Sequence, residues 1–318
     1  MKRRYILSST HTDSHGHKMA KSALDGAVEQ MNGPRKMRLG LEHIRTFPPF
    51  GIVANGEVYQ GEDKEYYLAG DNIFFDKQES LVLEDGMELI KESFSLGSYP
   101  FIECELEESK ELEISTDPVN YKKIADIFDI FKAAREESGM QFKYHFFGRK
   151  SDLPHPETII TITSIVAFAL GLGAKKIPEK LGDAAGEDLA NFYKLVSRLA
   201  IDTIKNVIPA NRPINFVVSY PNPDCIVELV ITTRKPDDVL NALTEEKLQI
   251  VQTKIEQLKK LNAEKIQFIF NDNLNWEFNY LLTQKGEVIG TKKSFNKRNL
   301  LYNQILQAQE EREVNREL

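Results

Sequence analysis

The stretch GIVANGEVYQGEDKEYYLAGDNIFF, residues 51–75, decides how the first third of the chain folds. Val, Ile, Tyr and Phe recur along it, and Gly61 and Asp63 interrupt it near its middle. Residues with branched or aromatic side chains favour strands, whereas Gly and Asp favour the turns between strands. The stretch therefore predicts two strands, over 51–60 and 65–75.

Working outward, the same composition predicts further strands over 4–10, 36–43, 94–106 and 111–115. Two segments, 20–31 and 119–137, instead have apolar residues at helical spacing and predict helices. This part of the chain closes near Gly139. Residues 151–157 hold two prolines and two acids, a composition typical of a linker.

Residues 158–174 form the most apolar stretch of the chain. It is shorter than the roughly 20 residues that span a membrane, so we interpret it as a core helix. Helices are also predicted over 187–206 and 237–261. Strands are predicted over 214–220, 226–233 and 265–271, with a hairpin of 276–283 and 287–291 joined at Lys285-Gly286.

These patterns predict an α+β fold with two domains, over 1–139 and 158–295, joined by a linker over 140–157. The sheet of the second domain is expected to be antiparallel. Residues 296–318 are rich in Gln, Glu and Arg and predict a charged C-terminal helix.

Composition bounds the function before any motif is considered. The 41 basic and 48 acidic residues leave a net charge of −7, so nucleic acid is a poor default partner. Cys104 and Cys225 lie far apart, which gives neither a disulfide framework nor a zinc site and favours a reducing compartment. The N-terminus turns polar by Ser8, unlike a secretory signal, so we expect a cytoplasmic protein with no membrane span.

Motifs for nucleotides, zinc proteases and α/β-hydrolases are absent from the sequence, and we expect no cofactor. His11, Asp13, His15 and His17 cluster in one short segment that could bind a metal ion. Ser, Asp, Gly and His at this spacing are also typical of a solvated turn. We expect the turn and no metal.

Three residues could form a nucleophilic site. His43 ends a predicted strand beside Pro48-Pro49, where a scaffold can hold a general base. Ser95 precedes Gly97, which lets backbone amides approach a substrate. Glu113 could orient the imidazole, with Asp117 as the alternative. Equally, His43 could be a hydrogen-bonded residue at a strand end and Ser95 an ordinary strand hydroxyl.

Four short segments carry a family resemblance in a shared order. They are TDSHGH (12–17) with Ala23-Leu24, LEH (41–43) with PFGIV (49–53), FSLG (94–97), and LEIS (112–115) with Pro118 and Asn120. Together, over about the first 125 residues, they resemble the prohead maturation serine proteases of tailed phages, which share the herpesvirus assemblin-like fold. Residues 158–318 do not extend the resemblance.

The resemblance implies a mixed, barrel-like β-domain with flanking helices that hydrolyses peptide bonds through an acyl-enzyme. It makes Ser95 the nucleophile and His43 the general base, and it suggests Glu113 as the orienting carboxylate. Amides near Leu96 and Gly97 would then face the oxyanion. Ser98 stands where the family tends to have an aromatic residue, so Ser93 and Ser98 stay open as rival nucleophiles.

Three functions follow as expectations. The first is a serine endopeptidase that cleaves phage coat or scaffold proteins. The second is a catalytically inactive, protease-like module for structure or interaction, and the third is a host defence or regulatory protease gated by the C-terminal domain. The expected partner is a protein substrate, and the acidic chain with its charged C-terminal helix is compatible with a homo-oligomer.

Overall fold

The computed structural model describes residues 2–12, 18–104, 111–148, 154–172, 182–222 and 224–317. Helices and strands alternate through these ranges, which confirms the α+β class. The chain forms two compact units: unit 1 combines residues 1–103 with 280–318, and unit 2 is residues 104–279. The predicted domains, 1–139 and 158–295, have other bounds and stay a prediction.

Unit 1 contains a four-stranded antiparallel sheet in the order β1-β4-β3-β2. Its elements are β1 (Lys2–Ser9), α1 (Lys21–Asn32), β2 (Met37–Leu39), β3 (Gly51–Gln60) and β4 (Tyr66–Phe74). Helix α1 packs on this sheet, where its buried Leu24 and Met31 meet Val53 and Leu68. Both strands predicted from residues 51–75 are confirmed.

The rest of unit 1 is a second antiparallel group of strands and a long helix. In spatial order the group comprises β5 (Lys77–Val82), β6 (Glu88–Ser93), β14 (Val288–Thr291) and the end of β13 (Trp276–Thr283), and α7 spans Lys292–Glu317. Among the described residues the strands do not close into a barrel. The expected barrel-like architecture is therefore wrong, because β1 and β2 stay at opposite edges of their open sheet.

Unit 2 is built on a mixed sheet in the order β12-β11-β10-β9-β7-β8. Its strands are β7 (Leu112–Thr116), β8 (Phe142–Phe146), β9 (Glu157–Thr161), β10 (Ile214–Asn222), β11 (Cys225–Thr233) and β12 (Ala263–Phe270). Its helices are α2 (Ile124–Ser138), α3 (Ser164–Ala169), α4 (Gly182–Asn206), α5 (Pro236–Ala242) and α6 (Glu245–Leu258).

The predicted antiparallel sheet of the second domain is corrected by these pairings. The pairs β7/β8, β9/β10 and β11/β12 are parallel, whereas β7/β9 and β10/β11 are antiparallel. Parallel neighbours need a crossover connection, and one or two helices lie between the strands of each parallel pair.

The two faces of this sheet differ in chemistry. Residues paired across strands point to the same face, and one such row is fully apolar: Ile114, Ile160, Val218, Leu229 and Phe268. The row on the opposite face is polar: Lys143, Glu113, Thr161, Ser219, Glu228 and Gln267. The apolar face packs on helices: Trp276 of β13, whose ring contacts Phe270 on that face, donates its indole N–H to the Ala242 carbonyl of α5 at 2.8 Å.

Several predicted elements differ from the structure. Residues 158–174 are not one helix, because β-branched side chains such as Ile159 and Ile160 extend the chain as β9, after which Thr163 caps α3. Residues 237–261 form two helices, and the predicted linker contains β8. Residues 94–101 form no named strand, and a single turn of 3₁₀ helix follows them. Among the described residues, every helix is too short or too polar to cross a membrane.

Candidate functional site

His43 lies in a tight turn after β2 and is exposed. The strand predicted to end at His43 ends at Leu39 instead, because Glu42 and His43 take left-handed conformations with φ of 48° and 57°. The Ile44 N–H closes the turn on the Leu41 carbonyl at 2.9 Å. Left-handed conformations cost residues other than Gly about 1–2 kcal/mol each, so neighbouring contacts must hold this turn.

The segment that follows His43 is held by Arg298 of α7. This guanidinium donates to the Pro49 carbonyl at 2.8 Å and stacks over the Phe50 ring at 4.0 Å. It also forms a bidentate ion pair with Glu92, with both bonds at 2.9 Å. Arg298 is only 2% exposed. A buried, bidentate arginine of this kind fixes geometry as well as charge.

Ser95 lies two residues beyond β6, the strand that carries Glu92. Its backbone N–H donates to Asp76 Oδ1 at 2.6 Å, and the residue is exposed. Gly97 has φ of 91°, and a Cβ built there would lie 2.7 Å from the Tyr99 hydroxyl oxygen. The turn therefore requires glycine at this position.

The rival nucleophiles are less available than Ser95. Ser93 is 7% exposed within β6. Ser98 donates its hydroxyl to the Lys285 carbonyl at 3.0 Å, and the Tyr99 N–H donates to the same oxygen at 3.2 Å. Both bonds fix the turn against the β13–β14 hairpin. Ser95 is exposed, and its hydrogen bond to Asp76 uses the backbone N–H and not the hydroxyl.

Glu113 lies on β7 in unit 2, whereas His43 and Ser95 belong to unit 1. The structure brings its carboxylate to His145 on β8, with Oε2 and Nε2 3.5 Å apart. Ser115 is paired in register with the same histidine. The role of Glu113 as the group that orients His43 stays a prediction.

The histidine-rich segment is described only at its start, and Asp13, His15 and His17 lie outside the described residues. His11 Nε2 is 2.9 Å from both Asp63 Oδ2 and the Tyr67 hydroxyl. The hydrogen bond from Tyr67 lowers the pKa of Asp63 and raises the pKa of Tyr67 to about 12. In the part of the chain that the structure covers, acidic, histidine and cysteine side chains form no metal-binding group of three.

Sequence reasoning missed the residues that organise this region. Arg298 is one charge among many in the predicted charged C-terminal helix, and Glu92 lies in a stretch for which no element is predicted. The Asp85-Gly86 dipeptide between alternating apolar residues is a hairpin signal that could have located β5 and β6, and with them Glu92. No local signal marks Arg298.

Comparison with known proteins finds no relative. No protein-family model, no curated protein and no solved structure matches the chain. The assignment of roles therefore depends on the chemistry of the residues and on the resemblance of the four segments.

Proposed function

We propose that the chain is a serine hydrolase that cleaves protein substrates, with Ser95 as nucleophile and His43 as general base. One observation carries the proposal. A single buried guanidinium, that of Arg298, contacts both the segment that follows His43 and the strand that leads to Ser95. Catalytic groups need this kind of support, because small displacements of a nucleophile or base reduce the rate steeply.

The chemistry proceeds in two steps. The Ser95 hydroxyl attacks the scissile carbonyl while His43 accepts its proton and then donates it to the leaving amine. Water, deprotonated by the same imidazole, hydrolyses the acyl-enzyme. The backbone N–H groups of Leu96 and Gly97 stabilise the oxyanion. Leu96 is 86% exposed, which suits a site that must accept a polypeptide.

The proposed substrate class, a phage coat or scaffold protein, is supported by the family resemblance alone. The contact of Glu113 with His145 favours a second candidate, a protease-like module without catalysis, because it engages the expected orienting carboxylate with another imidazole. Whether Ser95 reacts covalently separates the two functions.

A fluorophosphonate probe tests the proposal on the full chain. We expect one label per chain at Ser95, absent from Ser95→Ala and at least about 100-fold slower in His43→Ala. Ser98→Ala is the matched control and keeps the label, since its hydroxyl only donates to a backbone carbonyl. A wild-type chain that takes up no probe would leave the non-catalytic module. A label that survives Ser95→Ala would rule out Ser95 as the nucleophile and point to the rivals Ser93 and Ser98.

A further inference from the structure

An exposed aromatic patch surrounds β8, the edge strand of unit 2. Phe128 of α2 contacts Tyr144 and Phe146 of β8 edge to face, with ring centroids 5.7 and 6.0 Å apart. These three side chains are 39–42% exposed, and Ile124 at the start of α2 is 53% exposed. Contiguous apolar surface of this kind is typical of interaction sites rather than of solvated surface.

The same strand presents an open edge. β8 pairs with β7 on one side only, and no other described strand pairs with it. Unpaired edge strands are templates for another chain, and proteins commonly protect them with charge or proline. β8 carries one such charge, Lys143, whereas three of its five residues are aromatic: Phe142, Tyr144 and Phe146.

The charges beside this edge indicate what occupies it. On the face opposite the aromatic residues, Lys143 lies 3.4 Å from Glu111 and His145 lies 3.5 Å from Glu113. An acidic segment would meet the two carboxylates, and a basic segment would meet Lys143 and His145. In an antiparallel second copy centred on Tyr144, Lys143 lies opposite His145 and the carboxylates lie one strand behind, on β7 and the residue before it, so no carboxylate is set against another across the edge.

The strand is also chemically palindromic. It alternates aromatic and basic residues symmetrically about Tyr144 in the sequence FKYHF. An antiparallel copy places Phe142 opposite Phe146, and Tyr144 opposite itself. A two-fold axis of this type is the commonest symmetry of homo-oligomers.

We propose that two copies of the chain associate through β8, antiparallel, with Tyr144 on the two-fold axis. Main-chain hydrogen bonds join the two edges, and the aromatic patches of both copies form one continuous surface. This interface does not depend on any catalytic activity.

Sedimentation of the full chain up to about 100 μM tests the association. We expect a dimer for the wild type, and a dissociation constant at least about tenfold weaker for Tyr144→Asp, which sets two carboxylates opposite each other. Ile250→Asp on α6 is the control, since Ile250 is 48% exposed outside the patch. It should dimerise like the wild type.

Oxidative cross-linking tests the register and does not depend on Tyr144→Asp folding well. Only the residue on the axis faces itself, at a Cα separation that a disulfide can bridge. Tyr144→Cys should therefore form a covalent dimer, and Lys143→Cys should not. A monomeric wild type, a Tyr144→Asp variant that dimerises normally, or equal cross-linking of the two cysteine variants would overturn the proposal.

Discussion

Both units bury an ion pair, and the two pairs connect to different kinds of structure. In unit 1, Arg298 joins Glu92 of β6 to the backbone carbonyls of Pro48 and Pro49, which lie in irregular chain. In unit 2, Glu228 of β11 accepts from Lys265 at 2.9 Å and from Gln267 at 3.0 Å, both on the adjacent strand β12.

The difference shows how one chemistry serves two purposes. The unit 2 pair continues into Asn279, which donates to Gln267 at 2.8 Å, so these contacts join side chains of neighbouring strands of the sheet. Its contribution is to satisfy buried polar groups inside regular structure. The unit 1 pair fixes loops that strand hydrogen bonds do not reach. Loss of the unit 2 pair should affect stability alone, whereas loss of the unit 1 pair should also affect the candidate site.

The largest effect is expected from Lys265→Met, which leaves the Glu228 carboxylate buried without its cation. The free energy of unfolding should fall by about 3–5 kcal/mol. Urea unfolding followed by fluorescence of Trp276, the single tryptophan of the chain, measures this change in unit 2.

The double variant Lys265→Met with Glu228→Gln is the control. It removes both charges and keeps an acceptor for Gln267, so it should recover most of the loss. If the double variant is no more stable than Lys265→Met, the destabilisation comes from packing and the network is not the reason.

Arg298→Met should cost somewhat less, about 3 kcal/mol, because the side chain of its partner Glu92 is 14% exposed and so retains some hydration. It should also abolish fluorophosphonate labelling of Ser95 if our proposed function is right, since the segments that carry the nucleophile and the base lose their common support. Trp276 fluorescence should keep its native spectrum.

Lys297→Met is matched to this variant, because Lys297 is the exposed neighbour on the same helix. It should change neither stability nor labelling. Full labelling of Arg298→Met would contradict the view that this ion pair holds the site, whatever its effect on stability.

A smaller effect is expected on the pH dependence of the free energy of unfolding, through a buried thiol in unit 2. Burial raises the pKa of the Cys225 thiol to about 12, whereas an unfolded cysteine ionises near pH 8.5. Between about pH 8.5 and pH 12 the thiol therefore ionises in the unfolded state but not in the folded state. The contribution of this thiol to the free energy of unfolding is fully present below about pH 8.5 and declines as pH rises toward 12. We expect a loss of about 2–3 kcal/mol by pH 10.5.

The Cys225→Ala variant isolates this contribution, because every other titrating group is shared with the wild type. Its free energy of unfolding should decline less steeply between pH 8 and pH 10.5. Parallel profiles for the two proteins would show that the thiol is not protected as the structure indicates.

The sequence predicts regular elements well where side-chain pattern and element length agree. Strands 51–60 and 276–283 match the structure at both ends. The pattern fails over 158–174, since a short apolar run reads equally as a buried strand or a helix until its neighbours are known. β9 lies between β7 and β10, and this tertiary pairing decides the matter.

The candidate site was predictable in part. His43 and Ser95 could be chosen from local chemistry, because turns with Gly and Pro have recognisable residues. The ion pair between Glu92 and Arg298 that supports these segments could not be predicted. Its two residues are separated by 206 positions in sequence, and no local pattern marks them as partners. Glu113 is the opposite case. The sequence suggests its carboxylate as a site residue, but in the structure it contacts His145 on β8, a strand that lies in the predicted linker.

Unit 1 is discontinuous in sequence, and this has a consequence for the order of events during synthesis. All residues of unit 2 have been made when translation reaches residue 279. Glu92 in unit 1 has no Arg298 to pair with until residue 298 has been made. Domains fold as units while the chain grows. The nascent protein therefore carries the Ser95 turn and the His43 turn without their common anchor until most of the chain has been translated. Under the proposed function, the site would be completed only late in synthesis.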